Sequence, residues 1–272
     1  MQAEIDGVTL AYDDSGSGPP VVLLHAFPLS KEMWRGQVEA LRDAYRVIAP
    51  DLRGHGGSAL RGDSATMEQM ADDVLALLDR LGLGRVALGG LSMGGYVALN
   101  LARRHPGRLA ALVLADTRAG ADSAEGREGR AATARKALEQ GAPAIADQLL
   151  PKLLAPATQR DQPGLVSEVR ALIEATSPAA IAAASHGMAA RADSTAALPA
   201  FGAPTLVLVG AEDALTPPSE SEAMRAAIPG AQLEIIPGAG HLSNLEQPAA
   251  FNQALRGFLD GLPRAGDAWR ED

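Results

Sequence analysis

The chain has 272 residues, and 47% of them are hydrophobic, which suits one large α/β domain with a sizeable core. The formal net charge of −9 argues against nucleic-acid binding, which requires basic patches, and the absence of cysteine excludes disulfides, thiol nucleophiles and Cys-based metal sites. The first residues are polar and acidic, unlike a signal peptide, and no apolar run is as long as a membrane span, so we expect a cytoplasmic protein that binds no membrane.

Short strands alternate with helices through the first third of the chain. The apolar run Val21-Val22-Leu23-Leu24 is typical of a strand buried on both faces of a parallel sheet. Apolar residues recur at helical spacing from Thr66 to Leu81, and Ser64 and Thr66 are candidate N-caps. This alternation predicts βαβ units and a parallel sheet. The predicted strands are 8–12, 21–24, 45–49, 86–89 and 109–115, with a turn cluster at 14–20 and helices at 31–43, 66–81 and 96–103.

The alternation stops between about residues 117 and 198. This segment is rich in Ala, Arg and Glu and contains no convincing strand, and it shows helical patterns near 124–140, 142–154, 163–175 and 178–190. We interpret 117–198 as a helical cap over the carboxyl edge of the sheet, and its Ala, Leu, Ile and Met content favours a pocket for a small, largely apolar group. Strands at 205–209 and 232–236 and helices at 218–227 and 247–259 follow. The predicted core is therefore 1–116 and 199–261, with a frayed tail at 262–272.

A Gly-x-Ser-x-Gly sequence, Gly90-Leu91-Ser92-Met93-Gly94, stands between a predicted strand and a predicted helix. In that position it predicts a nucleophile elbow, a strained turn in which side chains at the two glycines would collide with neighbouring elements. The N–H of Met93 would then face an oxyanion formed when Ser92 attacks a carbonyl. The alternative is an ordinary turn at the start of a helix.

A serine nucleophile needs a base and an acid, and both are expected just past the carboxyl ends of strands. His241 follows the last predicted strand in a glycine-rich loop, and Asp213 follows strand 205–209. Two rivals for the acid remain: Asp116, which also follows a strand, and Glu212. His55 is better interpreted as bracing a turn.

The second oxyanion donor is expected in the loop after strand 21–24, where the N–H of Phe27 is the natural candidate, although the loop could also be a simple turn. Each candidate for the substrate pocket is, taken singly, more typical of a structural residue. These candidates are His25, Trp34, His186, Met188 and Leu215.

Taken together, these motifs resemble the α/β-hydrolase superfamily, and the likeness spans nearly the whole chain. The pieces that carry it are His25-Ala26-Phe27-Pro28, 51–58, 90–95, 210–213 and Gly240-His241. Within the superfamily, the chain is similar to small bacterial carboxylesterases, enol-lactonases and perhydrolase-type arylesterases. The resemblance implies a mostly parallel, eight-stranded, doubly wound sheet with a helical cap inserted after the sixth strand. One departure is Ala26, where the family commonly has glycine.

The resemblance also implies a serine hydrolase that cleaves small carboxylic esters through a Ser92 acyl-enzyme, with no metal and no organic cofactor. A serine at the elbow argues against haloalkane dehalogenases and epoxide hydrolases, which carry an aspartate there. A lactonase would share every catalytic residue. A ligand receptor that retains the triad with very slow turnover is the alternative of another class, and the oligomeric state stays open.

Overall fold

The computed structural model describes residues 1–5 and 7–263, and within them eight strands form one sheet. The strand order is β1-β2-β4-β3-β5-β6-β7-β8; β1 and β2 pair antiparallel, as do β2 and β4, and the other neighbours pair parallel. The predicted α/β class and mostly parallel eight-stranded sheet are confirmed. The strands are β1 Gln2–Ile5, β2 Val8–Ser15, β3 Pro20–Leu24, β4 Arg46–Pro50, β5 Val86–Leu91, β6 Leu109–Ala115, β7 Thr205–Gly210 and β8 Gln232–Ile236.

Helices cover both faces of the sheet, which explains why β5, β6 and β7 are buried at every residue. The described part of the chain also contains three short 3-10 helices, at Lys31–Trp34, Pro106–Arg108 and Thr195–Ala200. No helix among the described residues is long and apolar enough to cross a membrane. The α-helices are α1 Arg35–Leu41, α2 Met67–Arg80, α3 Met93–Arg104, α4 Ala124–Leu153, α5 Pro156–Asp161, α6 Pro163–Glu174, α7 Pro178–Ala189, α8 Pro218–Ala227, α9 Ser243–Glu246 and α10 Pro248–Asp260.

The start of α2 shows how local sequence sets an element's boundary. The Thr66 side chain accepts a hydrogen bond from the N–H of Gln69, and the Gln69 side chain accepts one from the N–H of Thr66. This capping box satisfies two N–H groups that the first turn of a helix leaves without partners. Thr66 is therefore the N-cap, one of the two predicted candidates.

The amino-terminal edge of the sheet differs from the prediction. Strand β1 was not predicted, although Ala3 and Ile5 alternate with exposed residues as they do in a half-buried strand. Strand β2 continues to Ser15, through residues predicted as a turn, because Asp14 and Ser15 pair with β4. Pairing with a neighbouring strand overrides the weak strand propensity of these residues. The predicted tail lies outside the described residues from 264 onward.

Helices α4 to α7 separate β6 from β7, and α4 packs mainly against α7 and α6. Gly141, at φ 81° and ψ 176°, bends α4 between the two helical pieces that the sequence predicts. Hydrogen bonds join this segment to the loops after β3 and β8: Thr176 Oγ1 donates to the carbonyl of Pro28, and the N–H of His241 donates to the carbonyl of Leu153. Both loops follow carboxyl ends of strands, and we therefore propose that 117–198 forms the predicted cap.

Candidate active site

Ser92 lies in a sharp turn between β5 and α3, where the sequence predicts the elbow. Its backbone has φ 55° and ψ −112°, a conformation that is strained for a residue with a side chain. A Cβ on Gly94 would lie 2.1 Å from the carbonyl oxygen of Leu24, and a Cβ on Gly90 would lie 2.2 Å from that of Gly94. Only glycine fits at these two positions, so the turn can present the Ser92 hydroxyl above the sheet.

A hydrogen-bonded chain connects Ser92 to the loops after β8 and β7. The Ser92 Oγ lies 2.8 Å from His241 Nε2, and His241 Nδ1 lies 2.8 Å from Asp213 Oδ2. Asp213 is ionised and accepts from Nδ1–H, so Nε2 is left as the nitrogen that can take the hydroxyl proton. The three residues predicted as nucleophile, base and acid are therefore brought together in that order.

The Asp213 carboxylate is held by further donors. The backbone N–H groups of Leu215 and Thr216 donate to Oδ1 at 2.8 and 3.0 Å, and Thr216 Oγ1 donates to Oδ2 at 2.7 Å. Burial alone would raise the pKa of Asp213, but the His241 charge and the hydrogen bonds from His241 and Thr216 outweigh it and lower that pKa. Sequence reasoning missed Thr216, although a hydroxyl residue three positions after an Asp is a recognisable turn pattern.

The rival acids do not contact His241. Asp116 accepts hydrogen bonds from the N–H of Gly210 and the hydroxyl of Ser243, and Glu212 is exposed. Burial and the neighbouring Asp213 charge raise the pKa of Asp116 well above its ordinary value. This shift favours the neutral form of Asp116 and leaves the negative charge favoured on Asp213, beside the imidazole.

Two backbone N–H groups near Ser92 have no acceptor among the described residues. Met93 is the first residue of α3, so its N–H has no partner within the helix. The N–H of Ala26 points instead to Met33 Sδ at 3.2 Å, whereas that of Phe27 has no acceptor among the described residues. The two predicted donors are thus the N–H groups left available.

A cavity of about 320 Å³ lies between the 117–198 segment and the loops that follow β3, β5, β7 and β8, and Ser92 and His241 both line it. Of the predicted pocket residues, Met188 and Leu215 line the cavity, as Phe27 also does. The cap side is more polar than the expected apolar pocket. It includes Arg118, Asp122, Arg130, Thr133, Gln148 and Lys152.

The pocket prediction is wrong for His25, Trp34 and His186. His25 is fully buried, with Nδ1 bonded to the carbonyl of Ala26 and Nε2 accepting the N–H of Leu52. Trp34 packs against Phe251 with ring centroids 6.1 Å apart, and His186 is on the exposed side of α7. These three side chains therefore point into the core or toward solvent, and none of them lines the cavity.

Comparisons with known proteins agree with this architecture. Residues 19–248 match a family model described as the alpha/beta hydrolase fold. The chain is 31% identical over 254 residues to 3-oxoadipate enol-lactonase 2 of Acinetobacter baylyi, covering 93% of each chain.

Two solved structures are similar over almost the full length. A thermophilic esterase from Thermogutta terrifontis, determined with malate bound, has a TM-score of 0.94 and 47% identity over 96% of this chain and 99% of its own. The enol-lactonase from Burkholderia xenovorans LB400 has a TM-score of 0.90 and 32% identity over 96% of this chain and 100% of its own.

Proposed function

The chain belongs to the α/β-hydrolase family, and from this premise we propose that it is a serine hydrolase that cleaves small carboxylic esters through an acyl-enzyme on Ser92. The observation that carries the proposal is the continuous contact from Ser92 Oγ through His241 to Asp213, each step 2.8 Å long, at the wall of a cavity. The similarity to an esterase at 47% identity supports the same reaction class.

The first half of the reaction is acylation. As Ser92 Oγ adds to the ester carbonyl carbon, its proton passes to His241 Nε2, and Asp213 stabilises the imidazolium that forms. The N–H groups of Phe27 and Met93 donate to the tetrahedral oxyanion. When the intermediate collapses, the bond to the alcohol oxygen breaks, and His241 returns the proton to the leaving alcohol.

The second half is hydrolysis of the acyl-enzyme. His241, neutral again, removes a proton from a water molecule, whose oxygen adds to the acyl carbon. Collapse of this second intermediate breaks the bond to Ser92 Oγ, which recovers its proton, and the carboxylic acid leaves. Every proton transfer uses one nitrogen, His241 Nε2.

Hydrolysis of a lactone is the second candidate, because relatives at 31% and 32% identity are named enol-lactonases. The same residues would act, but the leaving alcohol stays tethered to the acyl group. A panel of short-chain p-nitrophenyl esters and small lactones separates the two candidates.

The test of the proposed function is turnover of short-chain p-nitrophenyl esters by the wild type and by Ser92→Ala. We expect multiple turnovers in the wild type, a loss of roughly 10⁶-fold in kcat in the variant, and labelling of Ser92 by a fluorophosphonate. Full activity in Ser92→Ala would refute the acyl-enzyme. A single stoichiometric burst followed by silence would favour the receptor alternative.

A further inference from the structure

The cap side of the cavity carries more positive than negative charge. We propose that this surface, the cationic wall formed by Arg118, Arg130 and Lys152, binds a carboxylate on the substrate itself. The inference rests on the proposed function and narrows its substrate class to small esters or lactones that bear a free carboxylate.

The charges on this wall do not cancel. Asp122 is the one acidic residue among those that line the cavity. It contacts Arg118, Arg130 and Arg191, a third arginine that lies behind the lining, with Arg191 2.9 Å and Arg130 3.2 Å away. One carboxylate neutralises one guanidinium.

Other charges near the wall do not reverse this balance. Glu220, which does not line the cavity, attracts Arg118 electrostatically. Lys152, which does line it, adds a further positive charge. The excess is local, because the chain as a whole carries a net charge of −9. A positive wall inside an acidic protein favours entry of an anion.

The arginines are held in place yet retain free donors. Asp122 forms ion pairs with both arginines from the buried side of the wall: its side chain is 1% exposed, whereas those of Arg118 and Arg130 are 27% and 26% exposed. Arg130 donates to Asp122 through Nε, and its two Nη groups have no acceptor among the described residues. Guanidinium groups bind carboxylates through paired N–H donors, and pre-ordering by Asp122 reduces the entropy lost when a carboxylate binds.

The wall faces the same cavity as Ser92 and His241. A substrate bound at both places needs its carboxylate separated from the reacting carbonyl by a short chain. A neutral ester would accept weaker hydrogen bonds from Arg130 and Lys152 than a carboxylate does, so the site should discriminate against it.

The experiment compares matched substrates that differ in one charge. Monomethyl glutarate and monomethyl adipate, with the carboxylate on the acyl side, are paired with their dimethyl esters. 4-Acetoxybutyrate, with the carboxylate on the alcohol side, is paired with its methyl ester. Hydrolysis is followed by pH-stat in the wild type, in Arg130→Gln/Lys152→Gln, and in the control Arg135→Gln, which changes an exposed arginine of α4 outside the cavity lining.

For at least one pair we expect the wild type to prefer the anionic member by about tenfold or more in kcat/KM, the effect of one hydrogen bond to a charged group. The double variant should lose most of this preference, and Arg135→Gln should keep it. Equal rates for both members of every pair would overturn the inference while leaving the proposed function intact. A preference that survives in the double variant would also overturn it.

Binding is measured separately from turnover by titrating glutarate into the Ser92→Ala protein in a calorimeter. We expect binding that weakens by about tenfold when Arg130→Gln/Lys152→Gln is added. Glutarate binding without hydrolysis of any ester by the wild type would refute the proposed function but support the anion site. No detectable binding would overturn the anion site.

Discussion

Acid lability of the fold is predicted from two buried imidazoles beneath the Phe27 loop. His25 and His55 are both fully buried, with ring centroids 5.1 Å apart. Burial lowers the pKa of His25 to about 4, and burial together with the neighbouring His25 lowers that of His55 to about 3. The contacts explain the direction for His25: its Nε2 accepts the N–H of Leu52, so a proton there would displace that donor.

The sign and size of the effect follow from linkage. An unfolded histidine titrates near 6.5, so between pH 7 and pH 5 the unfolded chain binds about one proton at each of these positions while the folded chain binds almost none. Stability contributed by each neutral imidazole therefore falls by about 2 kcal/mol over this interval, or about 4 kcal/mol for the pair. The loss continues toward the folded-state pKa and then levels off.

Three buried carboxyls act in the opposite direction. Burial raises the pKa of Asp51, Asp116 and Glu246. As pH falls, these groups therefore bind protons in the folded state at a higher pH than in the unfolded state, and this stabilises the folded state. The wild-type pH profile is therefore a sum of opposing contributions. A difference between the wild type and a variant without one imidazole isolates the histidine contribution.

The assay is urea unfolding at pH 7 and pH 5, followed by tryptophan fluorescence. In His55→Asn, the amide nitrogen can replace Nδ1 in the hydrogen bond to the carbonyl of Arg53, but it does not titrate. We expect the free energy of unfolding of this variant to fall by about 2 kcal/mol less than that of the wild type between the two pH values. His186→Gln, which removes an exposed imidazole, is the matched control. Identical pH dependence in His55→Asn and the wild type would refute the reasoning.

Three further predictions concern how the site is built. Asp213→Asn should lower kcat for esters by roughly 10⁴-fold because an amide does not fix the imidazole tautomer. Asp116→Asn should keep kcat within about threefold, since Asp116 makes no hydrogen bond to His241 and its raised pKa favours the neutral form; the reverse ranking would make Asp116 the acid. Gly94→Ala should lower the free energy of unfolding by about 3 kcal/mol or more, measured in urea beside Gly107→Ala, whose added Cβ meets nothing within 4 Å. Glu246→Gln should cost about 1–3 kcal/mol and lower kcat, because Glu246 accepts the N–H groups of both Gly240 and Ala155 and one of them would lose its acceptor; an unchanged melting temperature would contradict this.

Residues that define the elbow and its partners could be predicted because their signals are local. Glycine is required on both sides of Ser92 because an added Cβ would lie 2.1 or 2.2 Å from a backbone carbonyl oxygen, and this steric need appears in the sequence as a Gly-x-Ser-x-Gly spacing within five residues. His241 and Asp213 each follow an apolar strand, and the carboxyl ends of parallel strands meet at one edge of the sheet. The local motifs and the order of the strands along the chain are therefore sufficient to predict that these residues come together.

The cavity wall could not be predicted in the same way. Helix α4 is rich in alanine and bends at Gly141, so its sequence does not define one inward face. Arg130 and Lys152 lie on opposite sides of that bend and are typical of solvated residues, yet both line the cavity. Arg118 is joined to Arg130 through the buried Asp122, which pairs with both arginines and lies 4 residues after Arg118 along the chain.

The sheet with its turns and the 117–198 segment therefore have different proposed roles, the first in bond cleavage and the second in substrate selection. In the proposed mechanism, bond cleavage would use Ser92, His241 and two backbone N–H groups, all placed by the sheet and its turns, so a related chain could keep the reaction while the 117–198 segment changes. The charges that would select a substrate lie instead on the 117–198 segment and depend on a single buried carboxylate, Asp122, that orders three arginines. Changing that carboxylate would release the arginines and alter selectivity without moving Ser92 or His241, because neither contacts Asp122 through any hydrogen bond of the described residues.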